Sequence, residues 1–198
     1  MKDTKIYKVL RILIYPIVIL LFHPKVKGLE NIPKRGRILL AGNHTKWKDP
    51  VVLVVIVKRQ IHFLAKQELF HGLTKIVMKA MGCIPVNRKI HDKNCLIKGN
   101  ECLNNNLCVG IFPEGTVNKT ENIVLPFKKG AVKMSLDTNS KIVPFIITGK
   151  YKTFGKSVEI EFLEPIELKK DIEYENNRLM EIISKRLKEK QDEKNGRL

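Results

Sequence analysis

From Arg37 to Leu163, short apolar runs alternate with stretches of helical periodicity, and this alternation restricts the architecture more than any other feature. Strands are expected at Arg37–Ala41, Ile61–Ala65, Cys83–Val86, Val109–Phe112, Ile142–Thr148 and Val158–Leu163. Helices are expected at Pro50–Val57, Gln67–Met81, Lys93–Asn105 and Gly130–Asp137. A last helix, Glu173–Lys194, sets Leu179, Ile182, Ile183 and Leu187 at helical spacing. Strands interleaved with helices give an α/β class: a mixed, mostly buried central sheet flanked by helices. At 198 residues the expectation is one domain, 26–198, behind an N-terminal segment, 1–25. A hydrophobic content of 43% excludes a disordered chain.

The N-terminal segment is uncharged from Ile12 to Phe22, with Arg11 before it and Lys2, Lys5 and Lys8 upstream. These eleven residues are too few to span a bilayer, which takes about 20. No small-residue cleavage site follows; the chain continues His23-Pro24-Lys25. Pro16 is expected to kink the helix. The reading is a membrane-associating helical segment in one leaflet, its lysines among anionic headgroups. The competing reading is an N-terminal helix packed on the domain.

Lys and Arg number 37 against 20 Asp and Glu, a net charge of +17. A chain this basic suits nucleic acid, an anionic membrane surface or a phosphorylated substrate. Lys outnumbers Arg 29 to 8, a bias that base composition can produce without any partner. Residues 1–28 are net +5, 29–168 net +10 and 169–198 only +2. Nucleic-acid binding lacks a reading element or an aromatic platform in this sequence. Cys83, Cys95, Cys102 and Cys108 have no C-x-x-C spacing, so reduced structural thiols are expected, with no metal and no cofactor.

Five segments bear chemistry. The run Arg37–Ala41 leads into Asn43-His44-Thr45-Lys46-Trp47-Lys48-Asp49. Five helical residues turn through about 500°, so His44 and Asp49 meet only across a loop. A carboxylate holding a histidine makes a general base; Asp49 before Pro50 equally suits a helix N-cap. Phe112-Pro113-Glu114-Gly115-Thr116 follows a strand, where α/β sheets place ligands, although Pro-Glu-Gly is also an ordinary turn. Gly82-Cys83-Ile84-Pro85-Val86-Asn87-Arg88 ends a strand on an arginine, and Phe127-Lys128-Lys129-Gly130 opens a helix. Both suit phosphate, and both also read as solvated surface charge. Pro144, within Val143-Pro144-Phe145, suggests an edge strand or a bulge.

In this order the segments resemble the blocks of the glycerolipid acyltransferase family, and most closely its bacterial 1-acyl-sn-glycerol-3-phosphate acyltransferases. The resemblance covers about residues 26–150. It rests on NHTKWKD, GCIPVNR, FPEGT and VPFIITG. Two positions depart from the pattern: Asn87 stands where an acidic residue is frequent, and Val117-Asn118 where an arginine or a serine-rich run is frequent. Lys119, Lys128 and Lys129 are candidates to replace a cation missing there.

The resemblance implies acyl transfer from a thioester, carried by acyl-CoA or acyl carrier protein, to the sn-2 hydroxyl of lysophosphatidic acid. It implies His44 as base and Asp49 as its orienting carboxylate. Arg88, Glu114, Gly115, Thr116 and Lys128 would shape the acceptor site. The implied location is the cytoplasmic face of the membrane. No acyl-enzyme is implied, and the four serines include no G-x-S-x-G elbow. Alternatives are another acceptor, such as glycerol 3-phosphate or a different lysophospholipid, and a noncatalytic scaffold that leaves His44 idle.

Overall fold

The computed structural model describes residues 5–88, 90, 92–152, 158–169 and 171–196. Seven strands form one sheet: β1 (Lys25–Lys27), β2 (Ile38–Gly42), β3 (Ile61–Lys66), β4 (Ile84–Val86), β5 (Cys108–Ile111), β6 (Lys141–Gly149) and β7 (Val158–Phe162). Their spatial order is β1-β7-β6-β2-β5-β3-β4. The pairing is parallel throughout except for β6 with β7. Each expected strand is present. Strand β1 was not expected: a three-residue stretch with one apolar side chain, Val26, carries no pattern of its own and is set by its partner β7.

The central strands read as continuous apolar runs because both sheet faces are covered. All five residues of β2 are buried. Ile38 and Leu40 join one core with α1 (Lys5–Phe22) and α2 (Asp49–Ile56). Leu39 and Ala41 point the other way, into a core shared with α4 (Lys93–Asn104), α5 (Gly130–Thr138) and α6 (Ile172–Lys194). The two-residue strand period thus divides the layers.

Three local expectations need correction. Asp49 is not the cap of α2 but its first residue, with Lys48 at the cap position and Pro50 second. The expected helix over Gln67–Met81 is a 3-10 turn, Gln67–Leu69, followed by α3 (Gly72–Ala80). Gly72 at φ 48° breaks the run, since a left-handed residue cannot continue a helix. Pro144 lies in an interior strand, between β2 and β7. It falls between the β7 ladder, which ends at Phe145–Phe162, and the isolated Ile142–Ile166 bridge, where its missing N–H leaves no gap in the pairing.

Helix α1 continues through Pro16. One stripe, with Tyr7, Val18 and Phe22 buried, packs on the domain beside α2. Arg11 donates from Nε to the Val54 carbonyl (3.1 Å) and from Nη2 to that of Val55 (2.8 Å). A cation on the last carbonyls of α2 satisfies orphan acceptors and complements the helix dipole. The opposite stripe is exposed and apolar: Val9, Leu13, Ile17 and Leu20. No described helix is long and apolar enough to cross a membrane.

Candidate active site

The site forms past the C-terminal ends of β2 and β5, beside β6. Gly42 closes β2 opposite Phe145, and a Cβ there would lie 2.4 Å from the Phe145 ring, so only glycine lets the two strands approach this closely. One residue on, the buried Asn43 amide extends the ladder. It donates to the Ile147 carbonyl (2.9 Å) and accepts from the Ile147 N–H (2.7 Å).

His44 is then held on four sides. Its N–H donates to Glu114 Oε1 (2.8 Å), and its carbonyl accepts from the Asn118 N–H (2.8 Å). Its ring stacks on Phe112 at a centroid distance of 4.0 Å and 17° between planes. Its Nδ1 lies 2.9 Å from Asp49 Oδ2. The turn Thr45–Lys48 folds the chain back so that the two side chains meet, as the loop argument required.

Asp49 is fully buried and heavily solvated by the protein. Oδ2 accepts from the Thr45 N–H (2.7 Å) and the Lys46 N–H (2.8 Å); Oδ1 accepts from Thr45 Oγ1 (3.1 Å) and the Tyr151 hydroxyl (2.6 Å). Its place in the first turn of α2 adds the positive end of the helix dipole. Burial first, and then the Asp49 charge, push the Tyr151 hydroxyl well above the usual tyrosine range, so it stays a donor. With Asp49 as acceptor, His44 carries its proton on Nδ1 and presents the Nε2 lone pair.

Glu114 is the second anchor. It is buried, and its other oxygen, Oε2, accepts from the Leu125 N–H (2.8 Å). One carboxylate therefore ties the loop after β5 to the loop after β2. Burial pushes its carboxyl above the usual range, against the two N–H donors. Both its oxygens face backbone, so its visible contribution is position. Gly115 turns at φ 71°, and a Cβ there would lie 2.9 Å from the Lys128 Cε. Lys128 is pinned by its N–H on the Pro113 carbonyl (2.8 Å), with its side chain exposed, as is Thr116. Arg88 is exposed after β4, three strands from β2.

The structure thus gathers His44, Asp49, Glu114, Gly115 and Lys128, and leaves Arg88 at the sheet's rim. Sequence reading missed Tyr151, Phe112 and Thr45 as site residues. Tyr151 lies just past the strand that contains VPFIITG, and its signal was the parallel register of β6 beside β2, which no linear motif contains. Beside Asn43 and Thr45 opens a cavity of about 920 Å³ with Lys25, Lys150 and Lys152 in its wall. Among the described residues, no group of His, Cys, Asp or Glu is arranged to hold a metal. Burial raises the thiols of Cys95 and Cys102 and pushes that of Cys83 up to about 12, which removes them as nucleophiles.

The family model named Acyltransferase matches residues 23–148. The 1-acyl-sn-glycerol-3-phosphate acyltransferase of Borreliella burgdorferi is 34% identical over 169 residues, covering 80% of this chain and 67% of that protein. The protein of the same name from Bacillus subtilis is 32% identical over 127 residues, 63% of this chain and 62% of that one. The chain therefore spans about two thirds of these relatives' length. The crystal structure of the 1-acyl-sn-glycerophosphate (LPA) acyltransferase PlsC from Thermotoga maritima superposes with a TM-score of 0.75 at 22% identity. That match covers 94% of this chain and 78% of that one, so the two share a fold. On the family match and the Borreliella relative, the chain belongs to the Acyltransferase family.

Proposed function

We propose that the chain transfers a fatty acyl group from an acyl thioester to the sn-2 hydroxyl of 1-acyl-sn-glycerol 3-phosphate, giving phosphatidic acid. The observation that carries this reading is the His44–Asp49 contact at 2.9 Å, set at the ends of the central strands. The names of the relatives supply the acceptor.

His44 Nε2 takes the proton of the acceptor hydroxyl as its oxygen attacks the thioester carbonyl carbon. The tetrahedral oxyanion collapses, the C–S bond breaks, and the thiolate leaves with the proton returned by the imidazolium. Asp49 holds the ring and stabilises that imidazolium. General-base help of this kind contributes about 10²–10⁴-fold. The raised thiols leave direct transfer as the simpler route. Lys128 and Arg88 take the acceptor's phosphate, Lys128 from beside Gly115 and Arg88 from the rim, with Thr116 and Gly115 shaping the turn.

The apolar stripe of α1 lies on the cytoplasmic face of the membrane. Trp47, 72% exposed, lies in the turn between His44 and Asp49, where Lys48 Nζ lies 4.8 Å from the Phe22 ring and 5.8 Å from that of Trp47. The donor is acyl-CoA or acyl carrier protein. The test is purified protein with lysophosphatidic acid and each donor in turn. Phosphatidic acid should form with wild type and not with His44→Ala. Equal product from both proteins overturns the assignment.

A further inference from the structure

At the end of the sheet away from His44, an open cavity of about 710 Å³ lies between the start of α1 and the loops before β2 and β3. Six cations line it: Lys8, Arg11, Lys34, Arg35, Lys58 and Arg59. Its described lining includes no Asp or Glu. Several cations of the opposite layer and its edge pair locally: Lys129 with Glu173, Lys133 with Asp137, Lys141 with Glu167 and Lys190 with Glu159. A base-composition excess would scatter lysines over both layers. Here they converge, with no acid among the described lining residues.

Two of the six build the walls. Arg11 fastens α1 to the end of α2. Arg59 donates from Nη1 to the Pro33 carbonyl (3.0 Å) and from Nη2 to those of Gly36 (2.6 Å) and Asn106 (3.1 Å), joining three loops. The Tyr7 hydroxyl donates to the Arg59 carbonyl (3.2 Å). These bonds satisfy hydrogen-bond donors but leave both charges uncancelled. The other four side chains are exposed around this fixed frame.

We propose that this cavity binds the phosphate headgroup of an anionic phospholipid. The geometry of α1 selects a lipid source. From Tyr7, at the cavity, to Phe22, beside the catalytic turn, the helix rises about 22 Å. Its exposed apolar stripe runs between the two. A bilayer touching that stripe meets the catalytic mouth at one end and this basic cavity at the other. Ile12, 67% exposed, lines the cavity and belongs to the same surface. The same length excludes the acceptor's own phosphate, which sits within a few bonds of the reacting hydroxyl. Lys point charges and an Arg fork match a phosphate's oxygens. The inference rests on the membrane reading of α1, and the experiment separates the two.

Vesicle flotation compares wild type with Lys34→Glu/Arg35→Glu/Lys58→Glu on phosphatidylcholine alone and on phosphatidylcholine with phosphatidic acid. A control, Lys98→Glu/Lys188→Glu, reverses charges in the opposite layer. Wild type should bind the anionic vesicles at least tenfold more tightly, at about fivefold per cation engaged. The cavity variant should lose that gain, keep its binding to neutral vesicles and keep its turnover of detergent-dispersed acceptor. The control should retain most of the gain. Equal losses in control and cavity variants reduce the effect to bulk charge and overturn the proposal. Wild type that binds neutral vesicles with no anionic gain also overturns it while sparing the α1 reading; binding to neither overturns both. Inorganic phosphate titrated by calorimetry is the last arm. Saturation that the cavity variant abolishes, with vesicle binding unchanged, gives the cavity to soluble phosphate and overturns the lipid assignment.

Discussion

The Tyr151 hydroxyl donates to Asp49 Oδ1 at 2.6 Å across 102 positions of sequence. Its ring meets Phe22, at the end of α1, edge to face at 5.4 Å. One side chain therefore links the carboxylate of the proposed base to the helix proposed to lie on the membrane. Tyr151→Phe keeps the ring contact and removes only the donor. A bond to a buried charge is worth about 1.5–3 kcal/mol. Stability should fall by about that amount, and kcat by about tenfold as the Asp49 carboxylate loses its fixed rotamer. The acceptor KM should stay within about twofold, as expected for an interaction that serves the transition state. Steady-state kinetics with thermal denaturation measure both, and an unchanged kcat excludes the orienting role.

His44 and Asp49 should behave as a unit. His44→Ala and Asp49→Ala each lower turnover by about 10³-fold or more, and the double variant costs no more than His44→Ala alone. Asp49→Asn is no milder. Its amide keeps an oxygen for the Thr45 and Lys46 N–H groups, but it is neutral and cannot stabilise the imidazolium. Fully additive losses in the double-mutant cycle break the pairing.

Much of this site could be read from the sequence, because both proposed catalytic residues sit a few positions beyond a strand whose apolar run is continuous. The Arg37–Ala41 run announced β2, and a five-residue separation required the loop that the structure contains. The supporting groups could not be read. Tyr151 reaches Asp49 only because β6 runs parallel to β2 in a register that aligns Phe145 with Gly42. No hairpin turn joins these two parallel strands, so no local turn signal in the sequence fixes their register. Glu114 stood in a legible motif, yet its work, accepting from the N–H groups of His44 and Leu125, depends on two loops that only the fold brings together. Strand β1 and the break at Gly72 were lost for opposite reasons: one had too little pattern, the other a single glycine inside a good one.

Glu114 sets a pH dependence of stability. Burial raises its carboxyl pKa in the folded chain, so the folded state binds this proton more readily than the unfolded state. Its contribution is therefore greatest on the acid side of the ordinary glutamate value and falls as pH rises toward the raised one. Wild type should lose stability relative to Glu114→Gln across that window, as measured by urea denaturation at a series of pH values. Glu114→Ala, which strands the N–H groups of His44 and Leu125, should cost about 3 kcal/mol at neutral pH and most of the activity. A flat difference between wild type and Glu114→Gln would remove this side chain from the pH response.

The two proposed phosphate ligands should differ in weight. Lys128→Ala is expected to raise the acceptor KM by about tenfold, because its side chain lies against Gly115 at the site. Arg88→Ala should raise it less, about threefold, since Arg88 reaches in from three strands away. Neither should alter the donor KM. A larger effect at Arg88 than at Lys128 reverses the assignment and places the phosphate at the rim.

The two stripes of α1 make opposite predictions from one helix. Val18, 4% exposed, belongs to the core, and Val18→Asp buries an unpaired charge; it should unfold the chain or cost more than about 4 kcal/mol. Leu13 and Ile17, 61% and 56% exposed, lie on the outer stripe. Leu13→Asp/Ile17→Asp should change stability by less than about 0.5 kcal/mol per site. If that stripe sits in a bilayer, the double variant should float off neutral vesicles and lose activity on vesicle-embedded acceptor. It should keep activity on acceptor dispersed in detergent, because His44 and Asp49 are untouched. Retained flotation would show that α1 serves the fold alone, and the apolar stripe would need another partner.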